Sequence, residues 1–242
     1  MPDLRIGTAG WTIPSALAPR FPAEGSSLER YACVFRCAEI NSTFHRSHRR
    51  STYERWAAST PAGFRFSAKL PKTITHVGKL AGCESPLFAH LDEVAALGER
   101  LAIHLVQLPP SLQFDAGVAC RFLETLVRRT PLAIACEPRH PTWFTPEADA
   151  LLAAMRVARV AADPARVKAA ALPGGWPGLI YYRLHGSPMT YRSSYADGRL
   201  EAYAARLGAA PAGADRWCIF DNTASSAATG DALTLTELLD AP

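Results

Sequence analysis

Short apolar runs alternate with amphipathic stretches eight times along this chain of 242 residues, and this alternation limits the folds open to it. The runs cover residues 4 to 9, 38 to 41, 64 to 69, 101 to 107, 132 to 137, 157 to 162, 179 to 185 and 217 to 221. Strands that alternate with helical segments are typical of parallel β/α architecture. Eight repeats predict a single α/β domain over residues 1–242, a (β/α)8 barrel, with an open doubly wound sheet as the runner-up.

The stretches between the runs show helical spacing and helix-boundary signals. The first repeats apolar residues at i, i+3, i+4 and i+7, namely Leu28, Tyr31, Ala32 and Phe35. Ser51 followed by Glu54 predicts a capping box, and Ser85-Pro86 predicts a helix with Ser85 at its N-cap. The segment 164 to 178 is rich in Pro and Gly, so we expect an irregular connection or a short helix after the sixth strand.

Composition and charge narrow the class of protein. Hydrophobic residues make up 48% and charged residues 20%, which is ordinary for a globular protein. No apolar run approaches the ~20 residues that span a membrane, and no signal peptide is visible, so we expect a cytoplasmic protein without a membrane partner. The six cysteines form no C-x-x-C pair and are expected to be free, mostly buried thiols. The net charge of +4 has one short cluster, Arg46, Arg49 and Arg50, so nucleic-acid binding is the less favoured alternative.

Nearly every predicted strand ends in a polar or ionisable residue. In chain order these are Thr8 and Trp11, Glu39 and Asn41, Lys69 and His76, Gln107, Glu137, Arg139 and His140, Asp163, Arg183 and His185, and Asp221 and Asn222. The carboxyl ends of parallel barrel strands share one face, where barrel enzymes place their sites. Alternation along a strand puts Arg183 and His185 on the same side. The sequence therefore predicts a ligand site at this face.

Crowded charges of both signs push pKa values apart, which suits acid–base catalysis. The residues that we expect to act in catalysis are Glu137, His185, Lys69, Glu39 and Asp221. The other members of the set are expected to bind a small polar substrate, either phosphorylated or sugar-like. The competing interpretation is a neutralised network that shapes the barrel mouth without reacting.

Other chemistries stay open as weaker alternatives, and no cofactor is expected. The ligand types for a divalent metal are present in Glu39, Glu137, Asp163, His185 and Asp221. Neighbouring basic residues can neutralise these acids, so a metal is the lesser prediction. Lys69 could form a Schiff base with a carbonyl substrate. The loops 186 to 195 and 222 to 226 are rich in hydroxyls and predict recognition of a phosphate or carboxylate.

Several short motifs follow one another in a fixed order. They are Gly7-Thr8-Ala9-Gly10-Trp11, Glu39-Ile40-Asn41-Ser42-Thr43-Phe44, Phe64-Arg65-Phe66-Ser67-Ala68-Lys69, Thr75-His76, Gln107-Leu108-Pro109-Pro110, Glu137-Pro138-Arg139-His140-Pro141-Thr142-Trp143, Arg183-Leu184-His185-Gly186 and Phe220-Asp221-Asn222-Thr223. Together they resemble the YecE-like family of domains of unknown function over almost the whole chain. The resemblance implies a TIM-type barrel and no settled activity. His45 stands where the family commonly has tyrosine, which leaves a hydroxyl contact at that point open. The substrate, the reaction and the oligomeric state are left open as well.

Overall fold

A computed structural model of the protein describes residues 4–240, which form a nearly closed ring of mostly parallel strands with helices outside. The strands are β1 Leu4–Ala9, β2 Cys37–Ile40, β3 Arg65–Lys69, β4 Leu101–Gln107, β5 Ala133–Glu137, β6 Val157–Arg159, β7 Ala161–Asp163, β8 Gly174–Gly175, β9 Leu179–Leu184 and β10 Asp215–Phe220. The helices are α1 Ser27–Ala32, α2 Arg50–Ala58, α3 Glu84–Val94, α4 Ala116–Arg129, α5 Pro146–Ala154, α6 Asp197–Gly208 and α7 Ala227–Asp240. The predicted parallel β/α barrel is confirmed.

The sixth strand of the barrel is split at Val160. Its first half, β6, pairs with β5, and its second half, β7, pairs with β9, so the chain changes partner in the middle of the strand. The backbone amide of Val160 still donates to the carbonyl of Cys136 at 2.8 Å, before the chain crosses to β9. The prediction of one uninterrupted strand over 157 to 162 is therefore wrong. The irregular connection predicted after it contains a 3-10 turn at Lys168–Ala171 and β8, which is antiparallel to β6.

Because side chains alternate along each strand, the polar residues at the strand ends face the inside of the ring, next to an apolar interior. The apolar layer inside the ring consists of Cys37, Ile103, Leu105, Ala135, Ala158, Val160, Leu179, Tyr181, Trp217 and Ile219. Two residues beyond members of this layer, on the same strands or just past them, come Glu39, Gln107, Glu137, Arg183 and Asp221. These side chains must therefore point into the mouth of the barrel, over a closed apolar floor.

Two predicted helix starts are wrong, because α2 and α3 each begin one residue before the serine expected at the N-cap. Ser51 and Ser85 consequently lie inside the first helical turn. At α3, the carbonyl of Cys83 accepts the first helical hydrogen bond, so the chain has already turned into the helix before Ser85. A capping box is present instead at α1, where Ser26 and Glu29 bond each other's backbone amides.

The lengths of the helices and the burial of the cysteines can be compared with the sequence. The longest helices, α4 and α7, have 14 residues each, and within residues 4–240 no helix is both long and apolar enough to cross a membrane. The cysteines are free, and four of them are buried, namely Cys37, Cys83, Cys136 and Cys218. The prediction of free, mostly buried thiols is confirmed.

The approach of β1 to β2 depends on Gly7. A Cβ atom added there would lie 2.2 Å from the carbonyl oxygen of Cys37, which is part of the packed ring. We expect Gly7→Ala to lower the free energy of unfolding in urea by at least ~1–3 kcal/mol, because overpacking forces the strands apart. Gly198→Ala is the control: its Cβ would meet nothing within 4 Å, so stability should stay unchanged or rise by up to ~1 kcal/mol. Equal stability of Gly7→Ala and the wild type would contradict this account of the strand contact.

Candidate active site

The guanidinium of Arg183 lies at the centre of the barrel mouth, and the residue is only 1% exposed. It donates to both carboxylate oxygens of Glu39, from Nε to Oε2 at 2.8 Å and from Nη2 to Oε1 at 2.5 Å. Nη1 donates to Oε2 of Glu137 at 2.7 Å, and Nη2 donates to Oδ2 of Asp221 at 3.0 Å. One cation therefore holds three carboxylates that come from β2, from β5 and from the end of β10.

A second arm of the network joins Arg139 and His185 to the same carboxylates. Arg139 donates from Nε to Oε1 of Glu137 at 2.7 Å, and its Nη2 lies 3.0 Å from Nε2 of His185. Because a guanidinium can only donate, this contact assigns the imidazole proton to Nδ1, which lies 3.0 Å from Oδ2 of Asp221. In the doubly protonated form Nε2 faces Oε1 of Glu137 instead, at 3.1 Å. His185 thus has a partner for its Nε2 in either protonation state.

Glu39 and Glu137 are held at every carboxylate oxygen. Besides Arg183, Oε2 of Glu39 accepts from the hydroxyl of Tyr181 at 3.2 Å, and that hydroxyl lies 2.9 Å from Oγ of Ser67. Oε1 of Glu137 accepts from Arg139, and Oε2 accepts from Arg183. Both glutamates are fully buried. They support the mouth from below and have no oxygen left for a ligand.

Opposite charges dominate the titration of the buried acids. Burial alone would raise the pKa of Glu137, but Arg139 and Arg183 lower that pKa well below its usual value. Burial would also raise the pKa of Asp221, and Arg183 together with His185 lowers it. Both carboxyls are therefore ionised at neutral pH. Within residues 4–240, no group of three or more His, Cys, Asp and Glu is placed to hold a metal ion, because the acids converge on Arg183.

Lys69 stands apart from this network. Its side chain ends β3 in the mouth, with Nζ 4.1 Å from the centre of the Phe44 ring and 7% of the residue exposed. Among the described residues, no carboxylate or hydrogen-bond acceptor contacts this ammonium group. Burial and the nearby Arg183 lower the pKa of Lys69 to about 8, although the three carboxylates of the cluster act to raise it. Lys69 is therefore a cation that can lose its proton close to neutral pH.

Two acceptor atoms share the mouth with Lys69. Asp221 bonds Arg183 and His185 through Oδ2 alone, and in residues 4–240 its Oδ1 has no hydrogen-bond partner. Gln107 donates from Nε2 to the carbonyl of Leu108 at 2.8 Å, and its Oε1 likewise has no partner in that part of the chain. The mouth thus offers a ligand one cationic donor and two oxygen acceptors.

Asn41 and His76 border the mouth, whereas Trp11 lies outside it. The register of Ile40 opposite Ala68 places Asn41 beside Lys69, and the Asn41 Oδ1 is enclosed without a partner among the described residues. His76 lies edge-on to the Phe44 ring, with ring centres 4.9 Å apart. Trp11 is half-buried and packs edge-on against Trp56 and Phe66, with ring centres 5.0 and 6.0 Å away. Phe66 faces outward from β3 and Trp56 is on α2, so Trp11 packs between the strands and the helices. None of the three residues is bonded to the charge network.

Two predicted site residues point away from the mouth because they have the opposite strand phase. Thr8 lies outside the ring, where its hydroxyl is 3.0 Å from that of Tyr31 on α1. Asp163 is in register with the outward-facing Leu184, and it accepts from Arg199 at 2.6 Å. The structure therefore does not bring Thr8 or Asp163 together with the charged cluster.

Asn222 and His140 serve the loops around the mouth. Asn222 donates from Nδ2 to Oδ2 of Asp231 on α7 at 2.6 Å and to the carbonyl of Ser193 at 2.9 Å. His140 accepts from the backbone amide of Thr142 through Nδ1 at 3.2 Å and so caps a 3-10 turn. Both residues hold local backbone in place, and neither contacts the cluster around Arg183.

The hydroxyl-rich loops 186 to 195 and 222 to 226 are tied to each other and to α7. Ser194 donates to a carboxylate oxygen of Asp231, and Ser225 donates to the carbonyl of Arg192. The hydroxyl of Ser193 accepts from the backbone amide of Met189 at 3.0 Å. These three serines, which suggested phosphate recognition, are thus used to order the loops.

The structure adds three residues to the predicted set, of which sequence reasoning missed Tyr181 and Ser67 and considered Tyr191 only as an aromatic residue that could stack on a sugar or base. Tyr181 bonds Glu39, and Ser67 bonds Tyr181. Each lies two positions before a predicted site residue on the same strand, Tyr181 before Arg183 and Ser67 before Lys69, so its side chain points to the same side of the sheet. Their phase was the signal that could have found them. Tyr191 lies edge-on to the His185 ring with centres 5.5 Å apart and is 44% exposed. Its position depends on the loop conformation, for which the sequence offers only an aromatic residue among polar ones.

Acid should weaken the fold through these carboxyls. Because the folded-state pKa values of Glu137 and Asp221 lie below the ordinary 4.5 and 3.8, their stabilising effect is present above those values and is lost as the pH falls through the folded values. We expect the free energy of unfolding to drop as the pH is lowered from ~5. In Glu137→Gln this dependence should be shallower, although stability at neutral pH is also reduced.

The exposed Glu24, changed to Gln, is the matched control and should leave the pH dependence as in the wild type. Chemical denaturation at a series of pH values measures both variants. An unchanged slope in Glu137→Gln would contradict the role given to its ion pairs.

The comparisons with known proteins bear on the whole chain. The family described as "Protein of unknown function DUF72" matches residues 5–242. A curated relative, "UPF0759 protein YecE" of Escherichia coli K12, is 31% identical over 140 residues, which cover 57% of this chain and 49% of that protein. The chain spans about half the length of the curated relatives that it matches.

Solved structures share the fold. A DUF72 family protein from Enterococcus faecalis V583 superposes with a TM-score of 0.84 at 19% identity, covering 99% of this chain and 96% of its own. One from Thermotoga maritima MSB8 has a TM-score of 0.79 at 22% identity, covering 98% and 99%. A xylose isomerase-like TIM barrel/4-hydroxyphenylpyruvate dioxygenase fusion protein has a TM-score of 0.55 at 12% identity, covering 98% and 42%. At these identities the likeness concerns the fold, a TIM-type barrel.

Proposed function

The chain belongs to the DUF72 family of proteins of unknown function, as the resemblance of its motifs indicated, and we propose that it is an enzyme that transfers a proton on a small polar substrate in the barrel mouth. The observation that carries the proposal is the state of Lys69. It is a buried ammonium group with a pKa near neutrality and, within residues 4–240, no bonded partner. A general acid works best when its pKa lies near the working pH.

Burial and the charges around Lys69 keep its pKa close to neutral, so its proton can be transferred near neutral pH. The guanidiniums of Arg139 and Arg183 face the carboxyl groups of the mouth, and Lys69 is its third basic group. Burial and repulsion by the nearby Arg183 lower the pKa of the Lys69 ammonium. Lys69 can therefore give up its proton to a substrate oxygen on which negative charge develops.

Asp221 is the base that complements Lys69. Its Oδ1 is unbonded in the described part of the chain, and each of the two residues is among the charges that shift the other's pKa. A substrate held between them would lose a proton to Oδ1 of Asp221 and gain one from Nζ of Lys69. Glu39, Glu137 and His185 act as positioning residues, since their bonds fix Arg183 and Asp221.

The mouth favours a hydroxylated substrate, such as a sugar or its phosphate. Lys69 donates, and the free oxygens of Gln107 and Asp221 accept, which matches neighbouring hydroxyl and carbonyl groups. Tyr191, edge-on to His185 and partly exposed, offers a ring at the rim against which the apolar face of a sugar can pack. The charge cluster around Arg183 is buried, with Glu137 0% and His185 1% exposed. The mouth therefore suits a compact molecule better than a nucleic-acid strand.

A ligand screen followed by solvent isotope exchange tests the proposal and does not require the reaction product to be identified. A thermal-shift screen of sugars, sugar phosphates and hydroxy acids finds stabilising compounds, since a ligand at ~100 times its Kd adds ~2.7 kcal/mol. Each hit is then incubated with the protein in deuterated water, and NMR follows the loss of the substrate C–H signal. We expect Lys69→Met and Asp221→Asn to slow this exchange by about 10²- to 10⁴-fold.

The pH dependence separates the two roles open to Lys69. Because the ammonium form is the acid, the exchange rate should fall as the pH rises through about 8, the pKa of Lys69. A rate that rises through this pH, with borohydride trapping of an adduct on Lys69, would favour a Schiff base. Lys168→Ala, an exposed lysine elsewhere, should exchange like the wild type. Full exchange in Lys69→Met, or stabilisation only by oligonucleotides at low salt, would refute the proposal.

A further inference from the structure

A second cavity, of about 610 Å³, opens on the flank of the barrel beside the mouth. It lies between the loop from β2 to α2, the loop from β3 to α3, and α3 itself, and we call it the flank cavity. Sites for small molecules typically have volumes of ~300–1,000 Å³. The flank cavity is therefore large enough for a compound of about the size of a substituted benzene ring.

The ring of Phe44 separates the flank cavity from the mouth. Phe44 lines the cavity, and Nζ of Lys69 lies 4.1 Å from the centre of the same ring. Neither Lys69 nor Asp221, the two groups proposed to react, lines the cavity. The flank cavity is thus a separate space that the acid–base chemistry does not use.

One side of the flank cavity is apolar and open to solvent. It is formed by Phe44, Pro71, Val77, Pro86 and Ala89. Val77 is 70% exposed, the highest value among the large exposed apolar side chains of the described residues. Exposed apolar side chains grouped at a cavity often mark a binding site. A flat apolar ligand would cover Val77 and pack against the Phe44 ring.

The charged lining of the cavity carries an excess of one positive charge. Arg46 and Lys72 line it and contact no carboxylate in residues 4–240. Glu93 is the acidic group of the lining, and its Oε1 accepts from the hydroxyl of Ser47, which follows Arg46 in the chain, at 2.6 Å. Two cations against one carboxylate match a ligand with a single negative charge.

His90 supplies an unbonded polar group at the inner wall. It is 3% exposed, and neither ring nitrogen has a hydrogen-bond partner in the described part of the chain, with Nε2 fully enclosed. Burial, and to a smaller extent His104, lowers the pKa of His90 to about 3, so the ring is neutral. A neutral imidazole offers one donor and one acceptor, and leaving such groups unbonded inside a protein is costly.

We propose that the flank cavity binds a small aromatic carboxylate. Its ring packs against Phe44 and Val77, its carboxylate faces Arg46 and Lys72, and a hydroxyl at the far end of the ring reaches Nδ1 of His90, the ring nitrogen that is not enclosed. The three features of the lining each select one part of such a molecule, and none of them is needed by the chemistry proposed for the mouth.

Binding of 4-hydroxybenzoate, measured by calorimetry on the full chain, tests this proposal. Two probes serve as controls: 4-hydroxybenzyl alcohol has the ring without the charge, and acetate has the charge without the ring. We expect 4-hydroxybenzoate to bind at least about tenfold more tightly than either control. Lys72→Ala should raise its Kd about tenfold by removing one charge-assisted contact, and His90→Leu should raise it by a similar factor.

Three further variants make the outcome decisive. Lys168→Ala removes an exposed lysine that does not line the cavity and should leave the Kd unchanged. Lys69→Met should also bind normally, because the mouth is a separate site. Lys72 is exposed, so Lys72→Ala should fold even if His90→Leu does not. The proposal is overturned if 4-hydroxybenzoate does not bind, if Lys72→Ala binds it as the wild type does, or if Lys69→Met alone abolishes binding.

Discussion

The buried guanidinium of Arg183 is the constraint on which the barrel mouth depends. Three carboxylates in a space closed to water would repel one another, and Arg183 bonds all of them while each of its nitrogens finds an acceptor. Glu137, once fixed in this way, orients Arg139, and Asp221 orients His185. A buried charge that loses its partner costs several kcal/mol, roughly 3–5. A few ion pairs therefore set the geometry of the mouth. Replacing one residue of a pair leaves the charge of the other buried without its partner.

Much of the fold and part of the site could be predicted from the sequence, because both follow from alternation. Apolar runs indicated the parallel barrel, and the strand ends pointed to Glu39, Arg183, His185 and Asp221. The position at a strand end did not by itself show whether a side chain points into the barrel or out of it. Thr8 and Asp163 also end strands, yet they face the helices, because a side chain reverses its direction with every step along a strand. The interruption at Val160 is marked by no glycine or proline in the run from 157 to 162.

The remaining features depend on contacts between distant segments. Lys69 looks like any lysine at a strand end, and its lowered pKa arises only when burial and Arg183 act on it together. The flank cavity is built from two loops and one face of α3, none of which carries a motif for it. Ser51 and Ser85 show the same limit on a local scale, because the preceding loops had already begun the helical turn.

The split sixth strand has a mechanical consequence for the circumference of the barrel. Its halves pair over three residues each, with β5 on one side and β9 on the other, whereas β9 and β10 pair over six. The backbone ladder is thus short on both sides of this strand, as it also is between β1 and β2. Glu137 lies at the end of β5 and Arg183 lies on β9, so their 2.7 Å ion pair reaches across the split strand from one flanking strand to the other. The charge cluster in the mouth therefore also ties together the two strands that flank the split strand.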